Sequence, residues 1–190
     1  KGMEIIEDLK FKGLNFGEKA LALGEYDQCT FDDCDFSNVN LSQFRFEDCH
    51  FIECNLTMAT LSMTCFRNVK FSGCKMLGLH FDACNPIGLS FKFESCILNH
   101  SSFFKLKLKG TVFQHCTMHK VDFSDVDLSN AVFKECDLMM TLFENTNLKG
   151  SDFTTAQQYG LDPEVNVIKG AKFAYPGVLG LLTKYGIDVK

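Results

Sequence analysis

Tryptophan is missing from this 190-residue chain, and proline occurs only three times. So little proline excludes a proline-rich linker or a collagen-like rod. No uninterrupted apolar run approaches the ~18 residues that a membrane-spanning helix needs, so no membrane association is expected. No secretory leader is expected either, because Glu4, Glu7 and Asp8 stand where a basic and then apolar stretch belongs. Lys1-Gly2 ahead of Met3 reads as a remnant of expression, and a cytoplasmic location is the expectation. Ten cysteines are present without one C-x-x-C pair, so a zinc site lacks its usual spacing. A surplus of positive charge is absent too. The net charge is −5, and no aromatic array interleaves with the basic residues, which argues against direct nucleic-acid binding.

What the chain has instead is a beat. The stretch Phe31-Asp32-Asp33-Cys34-Asp35-Phe36 places an aromatic residue every five positions, with a small residue two positions before it. Backwards the beat runs through Tyr26, Leu21, Phe16 and Phe11; forwards it runs from Leu41 to Phe81. It resumes at Phe93 and continues to Phe153. Phe91 still keeps the earlier beat, so of the 20 Phe only Phe44, Phe104 and Phe173 lie outside these runs. A period of five fits neither helix nor simple strand. One unit cannot bury its own large residue, so units must stack. Cys34, Cys54 and Cys74 recur at twenty, as do Cys96, Cys116 and Cys136. Four pentads per coil, with like stacked on like, follow from that weaker period.

Nine cysteines (Cys29, Cys34, Cys49, Cys54, Cys74, Cys84, Cys96, Cys116 and Cys136) occupy the small inward slot, and Cys65 alone does not. Buried free thiols are the expectation. Stacked coils would set ladder cysteines ~4.8 Å apart, within reach of a bridge, but a reducing compartment opposes one. Phe44 occupies a slot meant for a small side chain, so a local bulge is predicted there, while Gly24 leaves another slot empty.

Residues 1–10 read as an N-terminal cap over the open end of the stack. The repeat spans 11–173, with a register slip near 84–93 and an irregular coil at 154–167. At the slip, Phe91 keeps the old beat and Phe93 starts the new one, with Pro86 and Gly88 between them and the preceding unit. A hinge or loop and a two-residue bulge both fit. Residues 174–190 read as a short helix and tail. Val178, Leu181, Leu182 and Tyr185 form one apolar stripe at helical spacing, and Gly186 is placed to stop the helix. That stripe serves equally as an end cap and as a dimer interface.

Strings such as Cys34-Asp35-Phe36-Ser37-Asn38, Val121-Asp122-Phe123-Ser124-Asp125 and Val126-Asp127-Leu128-Ser129-Asn130 resemble the pentapeptide-repeat signature. The resemblance implies an all-β fold, a right-handed quadrilateral β-helix with the central Phe/Leu and the small residue inward. The C-terminal strings Gly160-Leu161-Asp162-Pro163-Glu164, Lys169-Gly170-Ala171-Lys172-Phe173 and Gly180-Leu181-Leu182-Thr183-Lys184-Tyr185-Gly186-Ile187 resemble the quinolone-resistance (Qnr-type) members. That resemblance implies a homodimer joined through the C-terminus. It also implies non-enzymatic binding to a type II topoisomerase, gyrase or topoisomerase IV, as a mimic of duplex DNA. The projecting loops common among strongly protecting members have no counterpart here.

Catalysis needs converging polar groups in a concavity, and a coil filled by Phe, Leu and Cys offers none. All five histidines fall at outward positions; His115 and His119 flank the inward Cys116 and lie on different faces. Neither an enzyme nor a metal or other cofactor is expected. The charged surface remains. From 25 to 53 stand Glu25, Asp27, Asp32, Asp33, Asp35, Glu47, Asp48 and Glu53 against Arg45, the candidate partner-binding set. They occupy ~7 Å of rod at sheet spacing, over which duplex DNA carries about four phosphates. A second acidic zone holds Asp122, Asp125, Asp127, Glu135, Asp137, Glu144 and Asp152. Between the two lies a basic belt of Arg67, Lys70, Lys75, Lys92, Lys105, Lys107 and Lys109. The belt favours the alternative, a structural or scaffold module with an unrelated protein partner.

Overall fold

The computed structural model describes residues 3–190; Lys1 and Gly2, and that part of the expected cap, lie outside the described residues. The chain winds into a right-handed quadrilateral β-helix with all strands parallel. One face carries β1 (Glu4–Glu7), β3 (Gly24–Asp27), β5 (Arg45–Glu47) and β7 (Cys65–Arg67) in that spatial order. The next carries β2 (Lys10–Lys12), β4 (Thr30–Asp32), β6 (His50–Ile52), β8 (Val69–Ser72), β9 (Phe91–Glu94), β10 (Val112–Gln114) and β11 (Val132–Lys134). The other two faces are held by single bridges, such as Asp35 to Asn55 and Asn40 to Thr60.

Each pentad position has a physical task. The central residue points inward, and Phe31, Phe51, Phe113 and Phe133 are wholly buried. Two positions later the chain must turn a corner. The backbone there is left-handed at Asp33, Asn38, Asp48, Asn130 and many others, a region that Asn, Asp and Gly tolerate best. The Asp or Asn before the central residue ties this corner down. Asp35 accepts the Ser37 N–H at 2.8 Å, and Asp122 and Asp127 accept those of Ser124 and Ser129 at 2.8 and 3.0 Å. The small slot carries a donor. The Cys54 and Cys74 thiols reach the Phe31 and Phe51 carbonyls at 3.3 and 3.4 Å, and the Thr64 and Thr146 hydroxyls reach those of Leu41 and Phe123 at 2.8 and 2.7 Å. Cysteine is therefore a slot residue that fills space and satisfies a carbonyl at once. All ten cysteines are free and buried.

The bulge expected at Phe44 does not form. Glu25 pairs with Arg45 and Arg45 with Cys65 in unbroken register. The Phe44 ring instead stacks on Tyr26 and Phe46 at 6.2 and 6.0 Å. The empty slot at Gly24 is taken by the Ile6 side chain, whose Cδ1 would lie 2.6 Å from an added Cβ.

Partners are twenty residues apart in most coils, but Ser72 pairs with Glu94 and His80 with Ser102. The two extra residues bow out on one face. Pro86 is exposed and Ile87 is 70% exposed, while Phe91 and Phe93 are both buried. Phe91 supplies the ring that Pro86 does not, lying 5.6 Å from Phe66 and 5.2 Å from Phe81. A similar exchange occurs at Gln158, which turns out while Tyr159 fills the core 5.3 Å from Phe153.

Two outcomes follow from this packing. Phe133→Ala removes a ring stacked at 5.2 Å on Phe113 and 4.7 Å on Phe153; it is expected to cost about 3–5 kcal/mol in urea unfolding. Burial pushes the Cys49 thiol up to about 12, so the native state keeps its protons longer than the unfolded chain. Stability contributed by this thiol is full below the ordinary thiol value and lost as pH rises towards 12. None of the ten thiols should react with a thiol reagent at neutral pH in the native protein, and all ten should react in denaturant.

Candidate functional surface

The eight candidate carboxylates do not share one face. Glu25, Asp27 and Glu47 lie on β3 and β5, with Asp48 at the following corner. Asp32 is on β4 of the adjacent face, Asp33 and Glu53 occupy corners, and Asp35 lies on the third face. Several are already engaged. Lys10 and Lys12 hold Asp32 at 3.1 and 3.4 Å, and the Lys10 ammonium keeps its carboxyl below the usual range. Asp35 ties its own corner, Asp48 accepts the Asn68 amide, and the Glu53 carboxylate folds over Gly73.

What remains is a column. Glu7 pairs in register with Asp27, and Asp27 with Glu47. Three carboxylates thus stand on consecutive coils at about the 4.8 Å strand spacing. Directly opposed like charges oppose pairing, so the fold itself does not account for them. Arg67 closes the column 3.8 Å from Glu47, and Arg45 lies beside it, 3.5 Å from Glu25. Reading charges within 25–53 missed Glu7 and Asp8. The signal was available in the twenty-residue column, since Glu7, Asp27 and Glu47 are evenly spaced.

The second acidic zone is scattered over all faces. Asp137 pairs with His119 at 2.6 Å, Glu135 with His115 at 3.1 Å, and Asp127 takes the Asn147 amide at 3.0 Å. Among the described residues no group of His, Cys, Asp and Glu is arranged to hold a metal ion. A cavity of about 560 Å³ opens in the first coil among Ile6, Leu9, Phe11, Leu14, Phe16 and Tyr26. Its lining is mostly apolar, with Asn15, Glu18 and Lys19 as polar members.

At the other end, Gly177–Tyr185 forms a 3-10 helix laid across the last coil. Three residues per turn put Val178, Leu181 and Lys184 on one side and Leu182 and Tyr185 on the next, so the expected single stripe is divided. Leu181 packs against the core, while Val178 and Leu182 are half-buried. Lys184 bridges Asp162 and Glu164 at 2.8 and 2.6 Å, and the Tyr185 hydroxyl donates to Glu164. The apolar surface left outside comprises Tyr175, Tyr185, Ile187 and Val189. Gly186 ends the helix in left-handed conformation. Gly180 allows the docking, because an added Cβ would sit 2.1 Å from the Tyr159 carbonyl oxygen. Gly180→Ala should therefore lift the helix. Faster tryptic cleavage at Lys184 with an unchanged far-UV β signal is the expected result.

A family described as pentapeptide repeat region matches residues 25–92 and 79–153. Among solved structures, the chain is similar to trypsin-treated QnrB1, a plasmid-mediated fluoroquinolone resistance protein. That match has 18% identity over 98% of this chain and 100% of the other, with a TM-score of 0.63. Full-length QnrB1 matches with 16% identity over 97% and 100%, at a TM-score of 0.54. HetL, a pentapeptide repeat protein involved in heterocyst differentiation regulation from the cyanobacterium Nostoc, shows 14% identity over 88% and 84%, at a TM-score of 0.51. No curated protein matches the chain.

Proposed function

The chain belongs to the pentapeptide-repeat family, and we propose that it is a non-enzymatic binding protein whose acidic first coils enter a cationic DNA-binding groove of a type II topoisomerase, gyrase or topoisomerase IV, and so modulate quinolone sensitivity. The observation that carries this reading is the register column Glu7, Asp27 and Glu47, flanked by Glu25, Asp8 and Asp48. A smooth four-sided rod offers few pockets for anchor residues. Affinity then comes from charge, which steers approach and weakens with salt. The partner places the protein in the compartment that holds DNA, the cytoplasm.

Two copies pair through the C-terminal end in this reading, with Val178, Leu181, Leu182 and Tyr185 at the contact and Tyr175, Ile187 and Val189 beside them. A two-fold contact uses the same patch twice, which extends the rod without closing its acidic end. Leu182→Asp would place a charge in that contact; light scattering should report a dimer for the parent chain and a folded monomer for the variant. The scaffold reading draws its support from Arg45 and Arg67, which sit in the acidic face, and from the basic belt above it.

Binding of purified gyrase or topoisomerase IV, measured at low and physiological salt, separates the two. Reversing Glu25, Asp27 and Glu47 to lysine should weaken binding by about tenfold or more and flatten its salt dependence. Reversing Glu144, in the scattered zone, should change little. Absence of binding by the parent chain at both salt concentrations would leave the scaffold reading in place.

A further inference from the structure

We propose that the notch beside the register slip is a phosphate-binding site. The acidic face owes its continuous ladder to strands stacked coil upon coil, but its sheet ends at β7. The next coil on that face bows out through Asn85–Leu89 instead of forming a strand. The coil after it, Lys107-Leu108-Lys109, pairs onwards through Lys107 with Asp127 and has no such bridge to the coil before it. A gap of about 210 Å³ opens between them, lined by Asn68, Ser90, Lys92, Lys107, Lys109 and Thr111 among others.

Three features make this gap a receptor for an oxyanion. Lys92, Lys107 and Lys109 are exposed, and among the described residues none pairs with a carboxylate, although the chain carries net charge −5. Second, one ladder donor is left over. The equivalent N–H groups of Asp127 and Asn147 donate to the Leu106 and Val126 carbonyls of the preceding coil. The Lys107 N–H, which faces the slip, has no backbone acceptor among the described residues. An unpaired amide close to ammonium groups is what an oxyanion satisfies. Third, the gap is smaller than the 300–1,000 Å³ common for whole drug-sized ligands, so it takes a phosphate or diphosphate group. The remainder of any larger ligand would lie outside. The Ser90 hydroxyl already accepts the Asn68 N–H at 2.7 Å, which leaves its own hydrogen for the anion. The site does not depend on topoisomerase binding.

Titration of the full chain with pyrophosphate, followed by phosphorus NMR against chloride at equal ionic strength, tests the site. Saturable binding is expected, weakened about tenfold in Lys107→Gln and in Lys109→Gln. Lys149→Gln, two coils on along the same face, should leave it unchanged. Displacement of pyrophosphate by a short DNA duplex supports the site and assigns the phosphate to a nucleic-acid backbone. Displacement by small phosphate esters alone supports it and assigns a metabolite. No saturation at millimolar pyrophosphate overturns the proposal, as does saturation indifferent to Lys107 and Lys109 in variants that keep the parent β signal.

Discussion

Aromatic stacking at the pitch of the backbone ladder is the constraint from which the rest of this structure follows. Phe11, Phe31, Phe51, Phe71, Phe93, Phe113, Phe133, Phe153 and Phe173 form one column, with ring separations between 4.7 and 5.4 Å. Parallel strands repeat at about 4.8 Å, and flat rings stack favourably at that distance. Ring and ladder therefore demand the same spacing. The column across from it is shared by Leu21, Leu41, Leu61 and Phe81, and then by Phe103, Phe123 and Phe143. Once the interior is fixed in this way, each outward residue has neighbours twenty positions away. The surface is written in columns rather than in runs.

That geometry decides which charges matter. A run such as Asp32-Asp33-Cys34-Asp35 looks dense in sequence, yet its three carboxylates fall on one face, at a corner and on another face. Glu7, Asp27 and Glu47 are far apart in sequence and adjacent in space. Exposed ion pairs such as Arg45–Glu25 contribute little to stability because water screens them. Their effect is to shape the field that a partner meets. The bowed coil at Asn85–Leu89 then separates the acidic column from Lys107 and Lys109, so one face carries two electrostatic regions with a structural break between them.

Most of the fold was legible, because a five-residue beat has few other physical solutions and the slot residues declared their size. The failures share one cause: volume is settled between coils, where sequence shows no adjacency. Phe44 looked too large for its slot, but it stacks on Tyr26 in the coil below. Pro86 falls on the beat in sequence yet loses the core to Phe91 in space, and within the irregular coil Tyr159 rather than Gln158 fills the core. The C-terminal stripe is continuous at 3.6 residues per turn and divides at three. The ion pairs of Asp32 with Lys10 and Lys12 were hidden until the first coil was placed under the second.

Carboxylate labelling with a carbodiimide and a neutral amine, read by mass spectrometry with and without purified gyrase, shows whether the acidic column meets the enzyme. Glu7, Asp27 and Glu47 are expected to be labelled in the free rod and shielded in the complex, while Asp125 and Glu144 label equally in both. Equal labelling of the Glu7–Asp27–Glu47 column with and without the enzyme, or shielding confined to the face of Asp122 and Glu144, would contradict it.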